Sequence, residues 1–351
     1  MAAGSALPLK LEGLTAAWLE SALRARWTSL RVEQLEIVEV IHGTATKVRV
    51  RARYGGNVPD APPEHLCIKG GFVDAMRPIA GNAYVQEAHF FRDVAARVRA
   101  PLPRCWYAAP DRAHLQGIVV LDDLVAAGCT FGDPEAAWSP GRVAAGLDVL
   151  AQLHGSTWNL SPAEVPMLPV GSPVRSLVPL LLGEAHWKAT FSGPRAPVLP
   201  TALQDRRRVH DAVLAMWARD DDVRPLSLLH ADPHIGNTWL DGAGAPRFLD
   251  WQCVCLGQGI DDASYFITGA LSVADRRTHE RELLRHYLGA FAGAGGPRIG
   301  FDDAWRGYRR YTLHGFLWVV TPPMMQPASR VAAMAERHLA AIVDHDALSL
   351  R

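Results

Sequence analysis

Lysine and asparagine are scarce in this chain: four of each stand among 351 residues, although Lys and Arg together number 36. Arginine therefore carries nearly all the positive charge, and a lysine or asparagine at a chemically suggestive position stands out from that background. The five cysteines are scattered and form no CxxC pair, which excludes a disulfide framework and a zinc ribbon and fits the reducing cytoplasm. Cys253-Val-Cys255 reads as two small buried residues. No apolar run approaches the roughly 18 residues of a membrane span, and the N-terminus lacks the basic segment and apolar core of a signal peptide. Lys+Arg 36 against Asp+Glu 36 gives no sign of a nucleic-acid or anionic-membrane partner. There is no GxxxxGK[ST] phosphate loop, internal repeat or long low-complexity tract. At 49% hydrophobic, a chain of this length can bury a core large enough for two lobes.

What is there centres on His230-Ala-Asp232-Pro-His-Ile-Gly-Asn237, followed by a short hairpin and Asp250-Trp-Gln. Leu226 to Leu229 suits a buried strand, so the His-x-Asp turn begins where a strand ends. Asp241-Gly-Ala-Gly244 is a turn signal that returns the chain beside its start, placing Asn237 and Asp250 at one end of two paired strands. Phosphoryl transfer needs metal ligands and an oriented base rather than a strong protein nucleophile. Asp232 fits the base, and Asn237 and Asp250 offer hard oxygens suited to Mg²⁺.

Lys69 ends a short strand, His-Leu-Cys-Ile-Lys69, and a compact ammonium reaching a pair of phosphates is a role in which arginine does not substitute. Helical periodicity over Asn82 to Arg99 puts Glu87 on an apolar stripe with Tyr84 and Phe91. A carboxylate there is costly unless paired, and Lys69 is a natural partner. The turn Gly43-Thr44-Ala-Thr46 between two strands offers backbone N–H groups and two hydroxyls to nucleotide phosphates. His154 and His230 read as packed, hydrogen-bonded residues rather than catalysts.

In this order and spacing the motifs resemble those of the aminoglycoside phosphotransferase and choline kinase group of small-molecule kinases, including its ecdysteroid-kinase-like branch. The resemblance runs from about Leu14 to the last helices and also takes in Val119-Val-Leu-Asp-Asp-Leu124, Leu150-Ala-Gln-Leu-His154 and Asp262-Ala-Ser-Tyr-Phe266. It implies an α+β, bilobal protein-kinase-like fold, with a small antiparallel-sheet N-lobe over residues 1–123 and a larger, mainly helical C-lobe over 124–351. It further implies Asp232 as base, Asn237 and Asp250 on Mg²⁺, Lys69 on the α/β-phosphates and held by Glu87, and ATP or another nucleoside triphosphate as donor. Backbone groups of Leu121, Asp122 and Asp123 would form the hinge and meet the adenine, and Asp262, with His230, would support the catalytic loop. Ala231 stands where protein kinases carry Arg, and Trp251-Gln252 where they carry Phe-Gly, which argues against regulation by loop phosphorylation.

The coarse pattern predicts a first helix over Thr15–Trp27, strands over Val32–Ile41, Lys47–Tyr54 and Cys105–Ala108, and mainly helices from Pro140. An aminoglycoside is a polycation, whereas Tyr308 to Met325 is basic at one end and apolar through the rest. The expected acceptor is accordingly a hydroxyl of a small neutral or partly apolar metabolite or natural product, such as an antibiotic, with Trp318, Met324 and Met325 as candidate lining residues. Three other readings stay open at this point: an aminoglycoside phosphotransferase proper, a non-catalytic nucleotide-binding module, and a hydrolase whose metal sits on His230, Asp232 and His234.

Overall fold

The computed structural model describes residues 6–56, 59–192, 198–222, 224–323 and 325–350. It divides into two compact units: Met1–Ala96 with Leu102–Thr130 and Asp250–Gln252, and Arg97–Pro101 with Phe131–Leu249 and Cys253–Arg351. The first unit thus runs seven residues past the expected boundary at residue 123, and it takes Asp250 with its two followers out of the C-terminal half.

In the first unit, helix α1 (Ala16–Leu23) opens at Thr15, whose hydroxyl accepts from the Trp18 N–H at 3.1 Å, a standard N-cap. It stops short of Trp27 because Arg26 and Trp27 both donate to the Leu23 carbonyl, tightening the last turn. Strands β1 (Arg31–Ile41), β2 (Thr46–Gly55), β3 (His65–Gly70), β4 (Cys105–Asp111) and β5 (Gln116–Asp122) form one sheet in the order β1-β2-β3-β5-β4, every neighbouring pair antiparallel. Side chains alternate between faces along a strand. Val48, Val50, Leu66, Ile68 and Val120 join Trp18, Leu19 and Leu23 of α1 in one buried core, so Lys47 and Lys69, directly opposite each other in the β2–β3 register, share the other face.

Helix α2 (Arg77–His89) begins earlier than the periodicity indicates, with Pro78 in its first turn, where the missing N–H costs nothing. Its continuation is a π-turn over Phe90–Val94 and a 3₁₀ turn over Ala95–Arg97. Gly117 lets α2 lie against β5: a Cβ there would stand 1.9 Å from the Tyr84 carbonyl oxygen. Glu87 is thereby laid over the sheet face that carries Lys69.

Strand β6 (Thr130–Phe131) leads into the second unit. There, helices α3 (Pro140–Ser156), α4 (Val178–Leu181), α5 (Glu184–Phe191) and α6 (Arg206–Asp222) precede short strands β7 (Ser227–Leu229), β8 (Thr238–Leu240), β9 (Pro246–Phe248) and β10 (Cys255–Gly257). Then come α7 (Gly259–Ala270), α8 (Val273–Gly293), α9 (Phe301–Tyr311), α10 (Phe316–Val319) and α11 (Ala328–Asp344). The main core gathers Val178, Leu182, Val209, Trp217, Phe316 and Ile342 from four helical segments. Strand β7 pairs with β10, and β8 with β9, both antiparallel. Among the described residues no helix is long and apolar enough to cross a membrane.

Candidate active site

The first unit builds a buried charge cluster. Lys69 is 4% exposed, and its Nζ donates to Glu87 Oε1 at 2.8 Å and to Asp250 Oδ1 at 2.9 Å. Burial alone would lower the Lys69 pKa; the carboxylates of Asp250 and Glu87 outweigh it, and the ammonium is held charged above its ordinary value. Glu87 is 3% exposed and also accepts the Trp251 N–H at 3.0 Å, while the Trp251 ring stacks on Phe90 at 4.5 Å. Asp250 sits at φ 69°, a left-handed conformation that a non-glycine residue holds only when its surroundings impose it.

Lys47 was not singled out by the sequence reading. Its Nζ lies 4.0 Å from Asp250 Oδ2, so two of the four lysines face each other across a strand pair and converge on one carboxylate. Like charges directly opposite are destabilising on a sheet, and their scarcity elsewhere was the available signal. Of the turn residues, Gly43 and Thr44 lie in the β1–β2 connection, where Tyr84 donates its hydroxyl to the Thr44 carbonyl. Thr46 is 2% exposed and belongs to the α1-packed face of β2, so strand alternation separates its hydroxyl from Lys69; the expected pair of hydroxyls reduces to Thr44.

Leu121 and Asp122 end β5, and the Asp122 N–H is donated to the Arg104 carbonyl. The Asp122 carboxylate accepts from Trp106 Nε1 at 2.7 Å. Asp123 is turned inward: its carboxylate accepts Arg49 Nε at 2.9 Å and the N–H groups of Val125 and Ala126.

The second unit carries the loop between β7 and β8. Asp262, 1% exposed in the first turn of α7, accepts the His230 N–H at 2.7 Å on Oδ2 and the Ala231 N–H at 2.9 Å on Oδ1. His154 Nε2 lies 3.1 Å from the same carboxylate, and its Nδ1 meets the Tyr287 hydroxyl at 2.8 Å. Gly259 makes room for this group, since a Cβ there would stand 2.5 Å from the Tyr287 hydroxyl and 2.7 Å from His154 Nδ1. Ala231 is at φ 64°, so the clamp on its N–H holds a strained turn.

His230 is a structural residue in its geometry. Its Nδ1 accepts the Asp232 N–H at 3.3 Å, and its Nε2 reaches the Leu249 carbonyl at 3.0 Å. A backbone N–H only donates and a carbonyl only accepts, so the ring is neutral with its proton on Nε2, and neither nitrogen is left for a metal. His234 Nδ1 is likewise taken by the Gly236 N–H. Among the described residues no three His, Cys, Asp or Glu side chains gather as a metal site, and the hydrolase reading fails on this geometry.

Asp232 accepts Asn237 Nδ2 on Oδ2 at 3.1 Å and the Tyr265 hydroxyl on Oδ1 at 3.1 Å. Asn237 Nδ2 also donates to the Asp232 carbonyl. Leu249, the residue before Asp250, donates its N–H to the Asn237 carbonyl at 2.9 Å. A neutral amide oxygen and a carboxylate are the hard donors that Mg²⁺ takes, so Asn237 and Asp250 fit that ion chemically.

Trp318 is 5% exposed and gives its Nε1–H to the Tyr265 hydroxyl at 2.6 Å, so it is engaged inside the unit. Met325 is half-buried after α10, and Met324 lies outside the described residues. Tyr265 was quoted in a sequence motif without a role; its link to Asp232 depends on a helical spacing of three from Asp262, which that motif does contain.

Comparison with known proteins places this architecture. The Plasmodium vivax ethanolamine kinase superposes with a TM-score of 0.53 at 12% identity, over 92% of this chain and 87% of that one. An aminoglycoside 2′-phosphotransferase IIIa variant in its GDP complex gives 0.52 at 9% identity, over 94% and 98%. A GDP and kanamycin complex of an aminoglycoside 2″-phosphotransferase IIIa also gives 0.52, at 11% identity, over 93% and 98%. A family profile, DUF1679, described as "Uncharacterized oxidoreductase dhs-27", matches residues 235–320, about a quarter of the chain; this is the ecdysteroid-kinase-like family. The matched span holds Asn237, Asp250 and Asp262. No curated protein matches the sequence. The chain has the protein-kinase-like fold of these small-molecule kinases.

Proposed function

We propose that this protein is a small-molecule kinase that moves the γ-phosphoryl group of ATP, or of another nucleoside triphosphate, to a hydroxyl of a small metabolite or natural product. The observation that carries the reading is the buried Lys69 held between Glu87 and Asp250 in a chain with this fold. A buried ammonium balanced by two carboxylates is expensive as pure architecture and is suited to exchange one carboxylate for phosphate oxygens.

In the proposed reaction Lys69 binds the α- and β-phosphates and Glu87 keeps it in place. Asn237 and Asp250 would hold Mg²⁺, which when bound offsets phosphate charge. Asp232 orients the acceptor hydroxyl and takes its proton as the new O–P bond forms and the bond to the nucleoside diphosphate breaks; the proton then passes to water. Backbone groups at Leu121 to Asp123 are the proposed adenine contact. GTP belongs beside ATP in any assay, because a neighbour of the same fold was solved with GDP.

For the acceptor, the sequence from Tyr308 to Met325 contains Arg309 and Arg310 and no carboxylate, and the groups around Asp232 include Tyr265, His234 and, through Tyr265, Trp318. This supports a neutral or partly apolar alcohol, an antibiotic among the candidates, over a polycation. Reduced cysteines support a cytoplasmic setting. The test is Mg²⁺-dependent ADP or GDP release across a panel of hydroxylated compounds. Faster turnover of neutral alcohols than of kanamycin-like amines is expected; the reverse order would make it an aminoglycoside phosphotransferase, and nucleotide binding without turnover on any alcohol would make it a binding module.

A further inference from the structure

Tyr265 is 5% exposed, and its hydroxyl has two partners of unlike character: Trp318 Nε1 at 2.6 Å and Asp232 Oδ1 at 3.1 Å. An indole N–H can only donate. The hydroxyl oxygen therefore accepts from Trp318, and its single proton is left for Asp232. The ring has little freedom to do otherwise, since it stacks with His314 at 4.6 Å and with His338 at 5.2 Å. Those rings are anchored in turn, His314 on Asp261 at 2.9 Å and His338 on the Thr268 hydroxyl at 3.1 Å. Residues three apart share a helix face, so one face of α7 holds the loop twice: Asp262 grips its backbone, and Tyr265 grips the Asp232 carboxylate.

We propose that Tyr265 is a positioning residue for the phosphoryl transfer: its hydroxyl, aimed by Trp318, fixes the rotamer of Asp232. This rests on the reading of Asp232 as the base. Asn237 Nδ2 occupies one carboxylate oxygen and Tyr265 the other. A carboxylate has about four acceptor sites, so each oxygen keeps capacity for an acceptor hydroxyl while the two donors stop the group from rotating.

The test uses Tyr265→Phe, Trp318→Phe and the double variant in the full chain. Tyr265→Phe should lower kcat by about 10- to 100-fold, the loss expected when a reacting group is misplaced by an ångström or less, with the KM for nucleotide unchanged. Trp318→Phe should cost several-fold, and should cost nothing further once Tyr265 is Phe, because Phe keeps a ring against His234 while the lost indole N–H acts through that hydroxyl. Independently of any turnover, a crystal structure of Tyr265→Phe should show the Asp232 carboxylate turned from its native rotamer or spread over more than one, because the hydroxyl donor on Oδ1 is gone. Absence of nucleotide-dependent transfer by the native protein would defeat the kinase reading but leave that rotamer to decide the Tyr265 contact. An unmoved Asp232 carboxylate, a full kcat in a folded Tyr265→Phe, or multiplying losses in the double variant would overturn the proposal.

Discussion

Replacing Asp262 by Asn removes one oxygen acceptor from the clamp on the loop between β7 and β8 while keeping its shape. The carboxylate accepts two backbone N–H groups on separate oxygens, His230 at 2.7 Å and Ala231 at 2.9 Å. An amide has one oxygen, so one of these buried donors must face an NH₂ group that cannot accept. The variant thus loses a charge-assisted hydrogen bond, about 1.5–3 kcal/mol, and leaves a buried donor unsatisfied, about 1–3 kcal/mol. Relaxation of the strained Ala231 turn returns part of this, so we expect a loss of about 2–5 kcal/mol. For a unit of this size that is on the order of 10 °C in melting temperature. Urea denaturation followed by tryptophan fluorescence should show it, with Asp261→Asn, whose carboxylate serves His314 rather than the loop, as a comparison. A stability change below about 1 kcal/mol in Asp262→Asn would refute the clamp.

Two further outcomes follow from the charge clusters. Lys69→Met strands Glu87 in the interior and should cost about 3–5 kcal/mol, much of which Lys69→Met with Glu87→Leu should restore; equilibrium unfolding of both variants measures it, and an undamaged single variant would contradict the buried pairing. Burial, aided by His314 and Arg337, pushes His338 down to about 3, below its ordinary 6.5. The unfolded chain therefore takes up this proton as pH falls through 6.5 and the folded chain does not until near 3, so stability drops across that window by up to about 1.4 kcal/mol per pH unit. His338→Asn should flatten the slope between pH 6.5 and 5 in urea midpoints; an identical slope would show that His338 does not carry it.

The parts of the site legible in the sequence were those whose chemistry conflicts with their surroundings. Lys69 stood out in an arginine-rich chain, and Glu87 on an apolar stripe demanded a partner; they lie 2.8 Å apart. Asp232, Asn237 and Asp250 were visible as polar residues bracketing a hairpin, which forms as Thr238–Leu240 against Pro246–Phe248. The parts that were not legible depend on distant packing. Tyr265 meets Trp318 across 53 positions of sequence, in a helix whose residues are almost all buried, so no amphipathic pattern marks its special face. Lys47 acquires meaning only through the β2–β3 register. The end of α2 was overextended because the chain stays coiled beyond His89 as a π-turn and then a 3₁₀ turn, so the apolar residues mark no break where the hydrogen bonding changes.

The most direct test of the account is ³¹P NMR of the native protein, Asp232→Asn and Asp250→Ala with Mg²⁺, a nucleoside triphosphate and the best alcohol from the panel. The account predicts a new phosphomonoester resonance with the native protein, none with Asp232→Asn although it still binds nucleotide, and weakened Mg²⁺–nucleotide binding itself in Asp250→Ala. Phosphomonoester formed by Asp232→Asn at the native rate would contradict it.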